Sequence, residues 1–126
     1  MPREDVIGQA ALLWKLIYRS VRATRERNPD FIVVRHEDLS RDPLPRYRAL
    51  YQSLGLEFTA RVERFILKST SSENPNELSR KKVHAFKLDS RANLANWKKR
   101  LTAEEIDRVR QMTEEIAPFY YSEAEW

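Results

Sequence analysis

Cysteine is absent from the 126 residues of this chain, and glycine occurs only as Gly8 and Gly55. Without cysteine the chain forms no disulfide and contains neither a thiolate nucleophile nor a cysteine-ligated zinc or iron site. Gly8 lies within a helical pattern and Gly55 at a helix end, so the sequence contains no glycine-rich phosphate loop and no dinucleotide-binding fingerprint. The two histidines, His36 and His84, are too far apart for a recognisable zinc motif.

Long hydrophobic runs are also missing. The longest unbroken apolar runs, at 10–14 and 31–34, are far too short to span a bilayer. Glu4 and Asp5 occupy the region where a secretion signal requires positive charge. We therefore expect a cytoplasmic protein that does not associate with membranes. The chain is long enough for one core, and we predict a single domain over residues 1–126.

The net charge of +4 is modest, although arginines and lysines cluster at three places along the chain. These clusters are typical of solvated helix faces, and the alternative is an anionic partner, either a phosphate-bearing cofactor or a nucleic acid. Because the charge excess is small and aromatic residues do not alternate with basic ones, we expect no nucleic-acid partner. The clusters lie around Arg22, at residues 80–82 and at residues 98–100.

Apolar residues at helical spacing predict helices over 2–28 and 43–54, with further helices starting at the caps Thr59 and Thr102. The first helix has a wider apolar face than a helix covered on one side requires, which indicates contact on a second side. Residues 31–34, in contrast, form a continuous apolar run that favours a strand buried on both faces. A parallel strand requires neighbours, and no second strand is evident. The sequence thus predicts a mostly α fold with one buried parallel-type strand.

Several short motifs follow that run in a fixed order. They are His36-Glu37-Asp38-Leu39, Asp42-Pro43, Leu54-Gly55, Ser69-Thr70-Ser71-Ser72 before Asn74-Pro75, and Ser90-Arg91-Ala92 before Trp97-Lys98. In this order they resemble the C-terminal half of sulfotransferases, and the Ser-x-Ala-Asn-x-x-x-Trp-Lys spacing is similar to that of bacterial members. The resemblance implies a partial α/β, P-loop-like sulfotransferase fold.

The resemblance also implies a cofactor, 3'-phosphoadenosine 5'-phosphosulfate or its product 3'-phosphoadenosine 5'-phosphate. Arg91 and Ser90 match the 3'-phosphate clamp, and a guanidinium binds two phosphate oxygens at once. His36 matches an aromatic adenine contact, and Thr70 and Ser71 match a second one. Structural alternatives remain open: a surface arginine on a turn, a histidine at a strand end, and hydroxyl groups that cap a helix.

The family's N-terminal phosphosulfate-binding loop and catalytic histidine have no match in these residues. We therefore expect a C-terminal segment that is inactive alone and whose partner is the upstream half of the same enzyme or a second copy of the chain. The acceptor is not identified by the sequence. The alternative is a non-catalytic helical module that binds another protein through the face of Trp14 and Tyr18.

Overall fold

The computed structural model describes residues 4–79, 81 and 85–126, and its regular elements are all helical within those ranges. Contacts divide the chain into two compact units, one formed by Met1–Val33 with Lys98–Trp126 and the other by Val34–Trp97. The prediction of a single domain over 1–126 stays a prediction. The α-helices are α1 (Val6–Arg27), α2 (His36–Arg41), α3 (Pro43–Ser53), α4 (Ala60–Thr70), α5 (Ser90–Asn93), α6 (Asn96–Arg100) and α7 (Ala103–Thr113), followed by 3-10 turns at Ala117–Phe119 and Glu123–Glu125.

The prediction of a buried strand at 31–34, and with it the partial α/β fold, is wrong. No strand occurs in the described residues, and Phe31, Ile32 and Val34 are 42%, 43% and 49% exposed. Aromatic and β-branched residues favour extended backbone, but a strand also requires a hydrogen-bonding neighbour, and the described residues supply none. The motif His36-Glu37-Asp38-Leu39, expected at the end of that strand, lies in α2 instead. The first turn of α2 is stabilised by an ion pair between Arg35 and Asp38 at 3.0 Å.

The first unit is built on α1 and α7. Asp5 caps α1 by accepting a hydrogen bond from the Gly8 amide at 3.0 Å. The chain after α7 returns to α1, where Tyr120 meets Tyr18 with 5.6 Å between ring centroids and Tyr121 meets Trp14 at 6.4 Å. The tail therefore docks on α1.

One face of α1 is only partly covered by the described residues of the first unit. Leu13, Leu16 and Ile17 are 60%, 51% and 49% exposed. The wide apolar face predicted from the sequence is thus present, and the first unit covers only one side of it. None of the described helices is both long and apolar enough to cross a membrane.

The second unit contains α2 to α5. Pro43 begins α3, and Gly55 ends it with a φ of 67°, a backbone conformation that glycine adopts without steric cost. Thr59 caps α4. The segment leading to α5 is anchored by backbone hydrogen bonds from Leu88 to Ser69 at 2.9 Å and from Asp89 to Pro75 at 2.8 Å.

Candidate functional site

Arg91 lies in α5, a short helix that Asp89 caps by accepting a hydrogen bond from the Ala92 amide at 3.1 Å. The Arg91 guanidinium donates from Nε and Nη2 to the Arg41 carbonyl, at 3.0 Å and 2.8 Å. Of the five guanidinium hydrogens, two are used in this contact, which leaves three without a hydrogen bond in the described part of the chain. Arg91 is thus held in place and still carries free donors on an exposed side chain.

Ser90 directly precedes Arg91 and is buried. Its hydroxyl donates to the Ser40 carbonyl at 2.7 Å. Ser40 and Arg41 are the last two residues of α2, and the final carbonyls of a helix have no partner within the helix. Ser90 and Arg91 therefore satisfy two carbonyls at the end of α2, although they lie fifty residues further along the chain.

His36 opens α2 and is exposed. Its Nε2 lies 3.2 Å from the hydroxyl oxygen of Ser40, one turn further along the helix. The structure thus gathers three of the predicted site residues, His36, Ser90 and Arg91, around the short helix α2. We call this group the α2–α5 cluster; it consists of His36, Ser40, Arg41, Ser90 and Arg91.

No hydrogen bond joins Thr70 or Ser71 to this cluster within the described residues. The Thr70 hydroxyl donates to the Ile66 carbonyl at 2.7 Å, and the Ser71 hydroxyl accepts a hydrogen bond from the Glu73 amide at 3.2 Å. Both bonds are local, as expected for hydroxyl groups at a helix end. His84 lies outside the described residues.

A groove between α3 and α4 is a second candidate site, and Thr70 is the one predicted site residue among those that line it. Its volume is about 330 Å³. The signal in the sequence is a pair of aromatic residues one turn apart on α3, followed by a similarly spaced arginine and phenylalanine on α4. The lining residues are Tyr47, Tyr51, Arg61, Val62, Phe65, Ile66, Ser69 and Thr70.

The groove combines apolar walls with unused polar groups. Ile66 is buried, whereas Phe65 is 59% exposed. Within the described ranges, the Tyr47 and Tyr51 hydroxyls form no hydrogen bond and Arg61 forms no ion pair. Of the lining residues only Arg61 is charged, so the groove favours a ligand with an anionic group.

The pKa of Asp5 is shifted, and this carboxyl lies in the first unit. The hydrogen bond from Arg108 lowers the pKa of Asp5 most, and the bond from the Gly8 amide lowers it further. This arrangement stabilises a helix start and belongs to neither candidate site. In the described part of the chain no three histidine, aspartate or glutamate side chains are grouped as metal ligands.

Comparison with known proteins agrees with the resemblance in the sequence. Carbohydrate sulfotransferase 1 of Danio rerio is 30% identical over 86 residues, covering 68% of this chain and 20% of that protein. Carbohydrate sulfotransferase 6 of Homo sapiens is 35% identical over 103 residues, and carbohydrate sulfotransferase 5 of Mus musculus is 33% identical over 102 residues. Each of these two alignments covers 75% of this chain and 25% of the relative.

The chain therefore spans about a fifth to a quarter of the length of these relatives. No solved structure matches it. The family described as the sulfotransferase domain matches residues 7–118, a range that contains both the α2–α5 cluster and the α3–α4 groove. Because this match extends over most of the 126 residues, the chain belongs to the sulfotransferase family.

Proposed function

We propose that this chain takes part in the transfer of a sulfuryl group to a carbohydrate and that Arg91 binds the 3'-phosphate of the donor nucleotide. Membership of the sulfotransferase family supports the reaction class. The names of the relatives support a carbohydrate as the acceptor. The observation that carries the assignment to Arg91 is its double hydrogen bond to the Arg41 carbonyl, which fixes the guanidinium before any ligand arrives.

Fixing a long side chain in advance matters because ordering a flexible side chain on binding reduces affinity. One edge of the Arg91 guanidinium is bound to the end of α2, and its remaining N–H groups are available to phosphate oxygens. Charge-assisted hydrogen bonds of this kind are stronger than bonds between neutral groups. Arg91 therefore suits an anion that approaches from the solvent side.

The other residues of the cluster have supporting roles in this proposal. Ser90 holds α5 against α2 through the hydrogen bond that its hydroxyl donates to the Ser40 carbonyl. That hydroxyl hydrogen is therefore not available to a ligand. His36 offers an exposed ring to the adenine. When bound, 3'-phosphoadenosine 5'-phosphosulfate supplies the sulfuryl group. Adenine contacts by Thr70 and Ser71, the bacterial type and the cytoplasmic location stay predictions.

We also propose that the 126 residues do not catalyse transfer alone. Sulfuryl transfer requires positive groups on the leaving phosphosulfate and a base for the acceptor hydroxyl. The sequence contains no glycine-rich phosphate loop, and neither of its histidines matches the base of the family. Nucleotide binding is therefore the property to test on this chain, and transfer requires further residues.

The test is calorimetric titration of the chain with 3'-phosphoadenosine 5'-phosphate. We expect saturable binding by the wild type and at least a tenfold loss in Arg91→Ala, since a hydrogen bond to a charged group contributes about 1.5–3 kcal/mol. The matched control is Arg46→Ala, which removes an exposed arginine of α3 in the same unit. Equal affinities of wild type and Arg91→Ala would contradict the proposal. An equal loss of affinity in Arg91→Ala and Arg46→Ala would also contradict it.

Because Arg91→Ala also removes the contact with Arg41, its fold is checked by circular dichroism before titration. Arg91→Lys serves as the second variant, since lysine keeps the positive charge but not the planar pair of donors. We expect Arg91→Lys to bind more weakly than wild type and more tightly than Arg91→Ala. Identical affinities for the alanine and lysine variants would argue against a charge contact with phosphate.

A second function, protein interaction, is favoured by the exposed face of α1. Leu13, Leu16 and Ile17 form an apolar stripe of the kind that marks interaction surfaces when it is exposed. We propose that an upstream segment of a sulfotransferase domain covers this stripe, with a second copy of the chain as the alternative.

Light scattering of wild type and Leu13→Glu distinguishes the upstream segment from the second copy. A dimer that dissociates in the variant supports the second copy. A wild-type monomer excludes the second copy and supports the upstream segment.

A further inference from the structure

We infer that the α3–α4 groove binds a sugar unit that carries a carboxylate or sulfate group, as a subsite for an acidic carbohydrate. This inference rests on the proposed function for the carbohydrate class. It goes beyond that function because it places the ligand away from Arg91, in a groove whose lining includes no residue of the α2–α5 cluster. The groove has the three features that such a ligand requires, namely aromatic surface, a cation and free hydroxyl groups.

The aromatic surface comes from Tyr47, Tyr51 and Phe65. One face of a pyranose ring carries mainly C–H groups, and such a face packs against aromatic rings. The Tyr51 ring is held by Phe58, with 5.3 Å between centroids and the planes nearly perpendicular. Phe65 is held by Phe86 in a stacked pair at 5.5 Å. Both rings are thus positioned before a ligand binds, which favours binding by limiting the entropy lost.

The positive charge of the groove comes from Arg61, which is the one charged residue among those that line it. Its guanidinium has no acidic partner in the described residues, whereas Arg48, on the facing helix, is 3.4 Å from Glu63. An unpaired guanidinium beside an apolar surface matches a single carboxylate or sulfate through two parallel hydrogen bonds. A nucleotide with several phosphate charges requires more cations than this groove contains, so a singly charged sugar unit fits it better.

The hydroxyl groups of Tyr47 and Tyr51 supply the remaining polar contacts. Neither hydroxyl has a hydrogen-bond partner in the part of the chain that the structure describes, and each can both donate and accept. Sugar hydroxyls have the same dual character. A cavity of about 330 Å³ is at the lower end of the range for small-ligand sites, which suits one or two sugar units.

The test uses a hyaluronan hexasaccharide, which carries a carboxylate on every second sugar, and a neutral chitin hexasaccharide. Each is titrated into the full chain, and binding is followed by two-dimensional NMR of backbone amides. We expect saturable shifts of α3 and α4 amides with hyaluronan, and binding at least fivefold weaker for the neutral sugar. Equal binding of the two sugars, or no shifts at all, would overturn the inference.

Matched arginine variants test the charge contact. Arg61→Ala should weaken hyaluronan binding about tenfold, because a hydrogen bond to a charged group is lost. Arg64→Ala, an exposed arginine of the same helix outside the groove, should leave the affinity within about twofold. A similar loss in both variants would mean non-specific attraction to a basic surface. Tyr47→Phe keeps the ring and should weaken binding about threefold, as expected for one neutral hydrogen bond.

Titration with 3'-phosphoadenosine 5'-phosphate separates this inference from the proposed function. If the nucleotide shifts α2 and α5 amides and does not displace hyaluronan, the two sites are distinct and both proposals stand. If the nucleotide displaces hyaluronan from α3 and α4, the groove is a nucleotide site and the inference fails. Nucleotide binding without hyaluronan binding refutes the inference alone, and hyaluronan binding without nucleotide binding refutes the proposed role of Arg91.

Discussion

Arg91 donates two hydrogen bonds to the carbonyl oxygen of Arg41, from Nε at 3.0 Å and from Nη2 at 2.8 Å. Together with the bond from Ser90 to Ser40, this contact connects α5 to the last turn of α2. A cation at the carboxyl end of a helix also interacts favourably with the negative end of the helix dipole. The arginine expected to bind phosphate therefore has a structural role as well, and the two roles use different edges of its guanidinium.

Ser90→Ala should lower the free energy of unfolding by about 1–3 kcal/mol. The reason is that the buried Ser40 carbonyl loses its donor and alanine offers no replacement. Urea denaturation followed by circular dichroism measures the difference. Ser72→Ala, which removes an exposed hydroxyl, is the control and should change the stability by less than about 0.5 kcal/mol. Equal stabilities for the two variants would show that the bond to Ser40 contributes nothing.

Thr102→Ala should lower the free energy of unfolding by about 1 kcal/mol. Thr102 begins α7 with a capping box, in which its hydroxyl accepts from the Glu105 amide at 3.2 Å and the Glu105 carboxylate accepts from the Thr102 amide at 2.8 Å. Thermal unfolding compares the variant with Thr102→Ser, which retains a capping hydroxyl and should keep nearly all of the stability. A serine variant as unstable as the alanine variant would contradict the capping explanation.

Signals that act over a few residues were predicted well from the sequence. The capping box at Thr102, the cap at Thr59 and the helix end at Gly55 are all present, because each depends on a side chain and a backbone group that are neighbours in the chain.

Features that depend on distant residues were missed. The strand at 31–34 was predicted from residue type alone, whereas a strand forms only where a neighbour exists. The contact of Arg91 with Arg41 joins residues fifty positions apart and leaves no local signal. The α3–α4 groove was not predicted, because only the positions of both helices show that Tyr47 and Tyr51 border an open space.

Gly8→Ala should stabilise the protein less than its helical position suggests. Alanine is favoured over glycine inside a helix by about 1 kcal/mol. A methyl group at position 8 would collide with the Asp5 carboxylate and with the Arg108 guanidinium, so the cap and the ion pair have to move. We expect a net change close to zero in the wild type and a gain of about 1 kcal/mol in an Asp5→Ala background. Chemical denaturation of the wild type, the two single variants and the double variant measures this coupling, and equal effects of Gly8→Ala in the two backgrounds would contradict it.

Asp5→Asn should remove part of the acid sensitivity of the fold. Arg108 and the Gly8 amide lower the pKa of Asp5 in the folded protein, whereas an aspartate in the unfolded chain has a pKa of about 3.9. The folded state therefore favours the charged form, and Asp5 contributes stability above about pH 4 that is lost as the pH falls through its lowered pKa. Melting temperatures at pH 7, 5 and 3 should show wild type above Asp5→Asn at pH 7 and 5, with a smaller difference at pH 3. Asp107→Asn, an exposed site on α7, is the control, and a difference for Asp5→Asn that persists unchanged at pH 3 would contradict the prediction.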